Sequence, residues 1–429
     1  MTALETPAVR RSLQNRWWIV AASLVGNVVG PGPSVIFVTN VFMVPVTTEL
    51  HWTRGMFSSA LLASAVQAPF MTPLFGYLLD RFGIRKVALP TAVLYGLALC
   101  SQSLLSANAF WLIYLMVGAS AGFGACFGPI VYSKAITAWF DHQRGIALGI
   151  ATCGVGLGTF VMPALAEYFV ANYGWRTGYI AVGVATFVVC FLVIVLFVRE
   201  PAGYVEHMRA VRAQAAQASR PFGLTWKEAR RRYQLWLLAA IFLIEGTCCN
   251  GILSGHFVPL LIDRGYSARE AVAFLSASGI AAMASRIVVG LGLDFVNGPI
   301  FCAIVMLLPP FGVGLLLSHA AGSVPFYAAL CFGLAIGAEV DMMGFFVSRY
   351  FGRRSFGALY GAVFALFAVG IGVGPQFLGF AYDRLHSYDP TLKGFLVALV
   401  IAALLFLPLG RYTYPKGTEV PLPSRSGAA

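Results

Sequence analysis

The chain has 429 residues, 59% of them hydrophobic and 11% charged, with a formal net charge of +12. So few charges exclude an ordinary soluble domain of this length, in which about a quarter of residues are charged. The composition is that of a polytopic membrane protein, so the surplus of basic residues is read by its placement along the chain and not as a nucleic-acid footprint.

Residues 1–15 are polar and contain no small-residue cleavage site, so no signal peptide is expected and the first apolar run reads as a retained span. Twelve apolar runs follow, at 17–41, 56–78, 84–106, 109–137, 144–170, 176–198, 234–261, 269–293, 298–319, 323–348, 356–382 and 391–410. Each is long enough to cross a bilayer. With both termini inside, 21 of the 29 basic residues fall on the cytoplasmic side, six outside, and Lys134 and Arg286 within spans. That asymmetry predicts an even number of spans with both ends cytoplasmic. The expected fold is therefore an all-α integral membrane protein of 12 transmembrane helices in two pseudo-symmetric six-helix bundles. Its expected parts are an N-terminal bundle (1–198), a cytoplasmic linker (199–233), a C-terminal bundle (234–410) and a cytoplasmic tail (411–429). The linker segment 204–219 is rich in Ala, Gln and Arg and reads as a solvated stretch with a candidate surface helix.

Span one carries Asn27, Gly30, Pro31, Gly32, Pro33 and Ser34. Two prolines flanking a glycine predict a broken helix with freed backbone groups, and such breaks often lie at transport sites, which makes Asn27 a candidate. Span four holds Tyr132, a candidate hydroxyl donor, and Lys134, about 7–8 Å from the span's edge. Lys134 has two readings, a snorkelling cation or a substrate contact. Span seven contains Glu245, about 16 Å deep, then Asn250, Gly251, Ser254 and His256. Asn250 is a candidate substrate contact, and His256 is either a hydrogen-bonded packing group or a proton relay.

Span eight places Arg286 about 12 Å inside Asp294. A charge there costs roughly 2.5–3.5 kcal/mol on insertion scales and calls for an anion. Span ten places Asp341 and Glu339 about 12 and 15 Å inside Arg349, and their separation of two residues points them to roughly opposite faces. Three carboxyls and one guanidinium near one plane admit two readings. One is a buried ion pair that fixes the helix arrangement. The other is a transport site in which Arg286 binds a carboxylate and Glu339, Asp341 or Glu245 carries a proton. The eight cysteines lie in apolar segments with no C-x-x-C, and read as packing residues rather than disulfides or metal ligands.

The two halves repeat. Gly76-x-x-x-Asp80 recurs as Gly290-x-x-x-Asp294, and Gly154-x-Gly156-x-Gly158 as Gly370-x-Gly372-x-Gly374, offsets of 214 and 216 residues. Parallel halves put a binding site between them near mid-membrane, and the glycines serve close helix approach.

The loop Gly76-x-x-x-Asp80-Arg81-x-Gly83-x-Arg85-Lys86 resembles the signature loop of the major facilitator superfamily. The resemblance implies a gate at the cytoplasmic side, with Asp80 pairing across the halves, against Arg353, Arg354 or the start of span eleven. The second-half copy after Asp294 lacks the basic residues, which implies an asymmetric gate. Within that superfamily, His51-Trp52-Thr53-Arg54-Gly55 and the arginine in span eight resemble the monocarboxylate-transporter and oxalate–formate-antiporter branch. That branch uses the span-eight arginine to hold a substrate carboxylate, a role the resemblance gives to Arg286. Two departures stand out. Ala282 occupies the place where mammalian members carry an aspartate, and span eleven has no lysine.

The expected function is secondary active transport of a small mono- or dicarboxylate by alternating access with proton symport, in a multi-pass bacterial inner membrane. A proton-antiporting exporter of hydrophobic or cationic compounds is the alternative, and the central Arg286 disfavours cations. The expected partners are the carboxylate, protons and the lipid bilayer, with the chain a monomer and no nucleic acid, cofactor or metal. No G-x-S-x-G, nucleotide loop or clustered metal ligands are present, so no enzyme is expected.

Overall fold

A computed structural model describes residues 16–140, 143–198, 223–352 and 354–414. Twelve membrane-length helices account for most of them: α1 (Trp17–Leu50), α2 (Arg54–Phe82), α3 (Ile84–Leu104), α4 (Leu112–Trp139), α5 (Gly145–Tyr173), α6 (Trp175–Leu196), α7 (Tyr233–Asp263), α8 (Ala268–Leu293), α9 (Gly298–Leu317), α10 (Val324–Phe351), α11 (Phe356–Leu385) and α12 (Asp389–Leu409). α2 counts as one span bent by 46° between Gln67 and Phe70, where Pro69 has no N–H to donate. The segment 204–219 lies outside the described residues. Just past it, a one-turn helix at Trp226–Ala229 opens with a capping box between Thr225 and Glu228. Leu224 N–H donates to the Phe351 carbonyl at 2.9 Å, which fastens this end of the linker to the end of α10.

The break expected in α1 is present, but the helix does not stop there. Pro33 cannot donate to the Val29 carbonyl, and Ser34 Oγ donates to it instead at 3.0 Å. The chain passes through a wide π turn at Gly32–Phe37 and continues to Leu50, nine residues beyond the expected end at 41. α7, the matching helix of the second half, has its own π turn at Ile252–His256. Its cause is similar: Pro259 removes the donor that the Gly255 carbonyl would otherwise receive. Asn40 of α1 covers this turn, donating to the Leu253 carbonyl at 3.0 Å and accepting from Val258 N–H at 3.3 Å. Each break thus has polar groups bonded within protein, by Ser34 in α1 and by Asn40 in α7.

The repeated glycine triplets explain how the two bundles are joined. Successive helical residues turn by about 100°, so the middle glycine of a G-x-G-x-G faces away from the outer two. In α5, Gly154 and Gly158 lie against the Leu24 and Val28 carbonyls of α1, while Gly156 lies against Gly279 and Met283 of α8. In α11, Gly370 and Gly374 lie against Leu243, Thr247 and Gly251 of α7, while Gly372 lies against Leu62 and Ala65 of α2. The outer glycines pack each helix into its own half, and the middle one meets the other half. The contact is the same in both bundles, with α5, α1 and α8 exchanged for α11, α7 and α2.

The perimeter is apolar. Phe295 (85% exposed), Leu115, Ile287 and Phe311 point away from the core, which suits lipid and not water. Trp17, Trp18, Trp111 and Trp236 are exposed near span ends, as interfacial tryptophans are. None of the eight cysteines is paired.

Candidate functional site

Arg286 is brought to its partner by a ladder of small residues. α8 and α10 run side by side so closely that Gly333 rests on the Ser278 carbonyl and Gly337 on the Ala282 carbonyl, and Ser285 Oγ donates to the Leu334 carbonyl. One turn further along each helix the rung is Arg286 and Asp341, with Nη1 and Oδ2 3.9 Å apart. The two side chains are 24% and 42% exposed in the middle of their spans, and Arg286 shares the face of α8 that Gly279 and Met283 turn toward α5 of the first half. At 3.9 Å the pair is outside hydrogen-bond range, and the guanidinium makes no hydrogen bond among the described residues. Tyr360 of α11 lies within electrostatic reach of both. It belongs to a stack along α11, Phe356, Tyr360, Phe364 and Phe367, with successive ring centroids 5.7, 6.0 and 6.0 Å apart. Sequence reasoning did not single out Tyr360. Its signal was the i, i+4 spacing of aromatic residues on a span otherwise rich in glycine and alanine.

Glu339 faces the other way and is buried at 1% exposure. Asn250 Nδ2 donates to its two oxygens at 3.1 and 3.4 Å. Glu245 is fully buried beside it, and neither of its oxygens has a hydrogen-bond partner among the described residues. A carboxylate oxygen from each and the Cys249 Sγ lie within 4.8 Å of one another. The carboxyls therefore separate into two places: Asp341 beside Arg286, and Glu245 with Glu339 between α7 and α10.

The other expected contacts are engaged elsewhere. Asn27 Nδ2 donates to the Ala151 carbonyl of α5 at 2.9 Å, inside the first half. Tyr132 is buried under Gly26 of α1 and is not presented to the space between the halves. Lys134 is engaged within its own half. Its Nζ donates to Asp80 Oδ1 at 2.5 Å and to the Gly76 carbonyl at 2.8 Å. Asp80 is thus held by a lysine of its own half in this conformation, and Arg353 lies outside the described residues. Within the same loop, Gly83 adopts φ +88° between α2 and α3, a conformation that favours glycine. Arg85 donates to the Val198 carbonyl at 2.8 Å and to that of Val195, closing the end of α6. Arg81 donates to the Tyr77 hydroxyl at 2.7 Å, and Lys86 is exposed.

The opposite end of the bundle is closed across the halves. Arg54 makes a two-pronged pair with Asp263 at 2.6 and 2.8 Å and donates to the Tyr388 hydroxyl at 2.7 Å. Its guanidinium lies 4.1 Å over the Tyr382 ring. Asp383 accepts from the Arg54 and Gly55 backbone N–H groups at 3.1 and 2.9 Å, capping α2 from α11. Beneath this lies His256, fully buried. A carbonyl only accepts, so Nε2, 2.7 Å from the Pro375 carbonyl, carries the proton, and Nδ1 accepts from the Tyr388 hydroxyl at 2.9 Å. Nε2 also lies 3.0 Å from Ser58 Oγ of α2.

Two six-helix bundles that carry a guanidinium and three carboxyls within their spans define a membrane transporter. The Major Facilitator Superfamily profile matches residues 33–375, and the chain belongs to that family. It is 24% identical over 362 residues to an uncharacterized MFS-type transporter, YcxA, of Bacillus subtilis (strain 168), covering 81% of this chain and 84% of that one. It is 25% identical over 344 residues to monocarboxylate transporter 12 of Rattus norvegicus, covering 72% and 68%. Among solved structures, a D-xylose-proton symporter superposes with a TM-score of 0.66 at 13% identity, over 90% of this chain and 96% of that one. A bacterial homologue of the human lysosomal transporter Spinster, in an inward-facing and unoccupied conformation, superposes with a TM-score of 0.62 at 16% identity, over 92% and 95%.

Proposed function

We propose that this protein is a secondary active transporter that carries a small carboxylate across the cytoplasmic membrane by alternating access, with a proton moving alongside. The observation that carries this reading is Arg286: a guanidinium at mid-span, on the face of α8 turned toward the first half, with its nearest carboxylate at 3.9 Å. Its planar donors remain free for a bidentate bond to a carboxylate, which forms at about 2.7–2.9 Å. Asp341 lies too far to satisfy it and close enough to steady it. The similarity to monocarboxylate transporter 12 supports the same class of substrate.

The basic residues gather at the Asp80 end, which makes that end cytoplasmic and the closed Arg54 end external. The conformation is then one closed to the outside. Transport requires the Arg54 contacts to part.

A thermal-shift screen of the purified protein against a panel of carboxylates tests the reading. A bound ligand at about 100 times its Kd stabilises the native state by about 2.7 kcal/mol. The expected result is a carboxylate that raises the Tm of the wild type and not of Arg286→Ala. Stabilisation by cationic compounds alone, undiminished in Arg286→Ala, overturns the carboxylate reading in favour of an exporter.

A further inference from the structure

Glu245 and Glu339 meet across the α7–α10 contact in a place closed to water. The titratable groups around them are Cys248 and Cys249 of α7, and the amide of Asn250 completes the set. α11 and α12 pack on the same stretch of α7 through the apolar rings of Phe367 and Phe406, which both meet Phe242. Among the described residues, no cation stands with these groups. Two carboxylates this close in a dry site cannot both be ionised without a large cost, so one proton shared between them is the stable state.

The hydrogen bonds say which oxygen carries it. Asn250 donates to Glu339, which suits an anion, whereas both Glu245 oxygens are buried with no donor directed at them. A protonated Glu245, with an oxygen within 4.8 Å of a Glu339 oxygen, can turn its O–H toward the Glu339 carboxylate. We propose that the Glu245–Glu339 pair is the proton-coupling site of this transporter, distinct from the anion site at Arg286 and Asp341. The proposal rests on the transport reading above and selects among its three candidate carboxyls.

The pair is also tied to the closed end. Asn250 stands six residues before His256, in the stretch of α7 leading into the π turn that Asn40 grips from the first half. With the proton in place, Asn250 rests on Glu339 and the turn is steady. Loss of the proton sets two negative charges against each other, drives Glu245 away from Glu339, and disturbs the turn that holds the halves together. The proton would therefore bind with the external end closed.

Infrared spectra of the purified full-length chain in lipid, recorded from acidic to alkaline pH without substrate, read carboxylic acids directly. The expected result is a protonated-carboxyl band at neutral pH that disappears in Glu245→Gln, shifts in Glu339→Gln as its acceptor changes, and persists in Asp341→Asn. A band unchanged in both glutamine variants, or none in the wild type at neutral pH, overturns the proposal. In proteoliposomes, Glu245→Gln is expected to exchange labelled carboxylate but to lose accumulation driven by a pH gradient. Accumulation that survives in both Glu245→Gln and Glu339→Gln overturns the coupling role. A wild type that fails to exchange carboxylates overturns the anion reading alone, because the infrared assignment needs no substrate.

Discussion

Arg286 and Asp341 invite two substitutions with opposite expected signs. Arg286→Lys keeps the charge but loses the planar pair of donors, so carboxylate affinity should fall by the worth of a charged hydrogen bond, about 1.5–3 kcal/mol or roughly 10–100-fold. Asp341→Asn removes the anion that competes with substrate, and affinity should rise. With Asp341 partly exposed, the gain should be about 1 kcal/mol, roughly fivefold. Calorimetric titration measures both, and a weaker-binding Asp341→Asn would make Asp341 a substrate contact. At this scale the sequence shows depth but not partnership. Counting from span ends places Arg286, Glu245, Glu339 and Asp341 near one plane, and the two-residue spacing divides Glu339 from Asp341. Whether Lys134 meets Asp80 or substrate depends on how α2 and α4 are rotated about their axes, which no single span encodes.

At the scale of helices, the approach of α8 to α10 depends on Gly333 and Gly337. Gly337→Val forces a branched side chain onto the Ala282 carbonyl and should cost about 1–3 kcal/mol, lowering the Tm and separating Arg286 from Asp341. Gly76→Ala is the contrast, because a Cβ there meets nothing within 4 Å. A thermal melt that ranks the two equally would remove the ladder as the cause of the pairing. The glycine triplets were legible as close-approach motifs, and the duplication was legible from their offset. The π turn in α7 was not foreseen, because Gly251 and Gly255 with Pro259 resemble ordinary span punctuation until Asn40 of another helix is placed over them.

For the whole molecule, the closed end rests on a few bonds between halves, so its stability is adjustable. Asp383→Asn removes the charged cap on Arg54 and Gly55, and should weaken closure by about 1.5–3 kcal/mol. That shifts the population toward the state open at this end roughly 10–100-fold. Cysteines introduced at Thr53 and Arg384, in a background lacking the native eight, would report it as reduced cross-linking. Cross-linking equal to that of the unsubstituted Asp383 chain would count against Asp383 as a latch. Span number and the two halves could be read from hydropathy and charge. The conformation could not, because one sequence must encode both the closed and the parted arrangement of the same helices.

The two-sided glycine triplets carry a consequence for how such a chain can change over generations. Variation at Gly154, Gly158, Gly370 or Gly374 alters assembly within a half, and is exposed to quality control before the protein reaches service. Variation at Gly156 or Gly372 touches only the meeting of the halves. It leaves each half able to form and changes how long they stay together. Assembly and turnover are thus open to selection separately, through positions two residues apart on one helix, and the duplication supplies each lever twice.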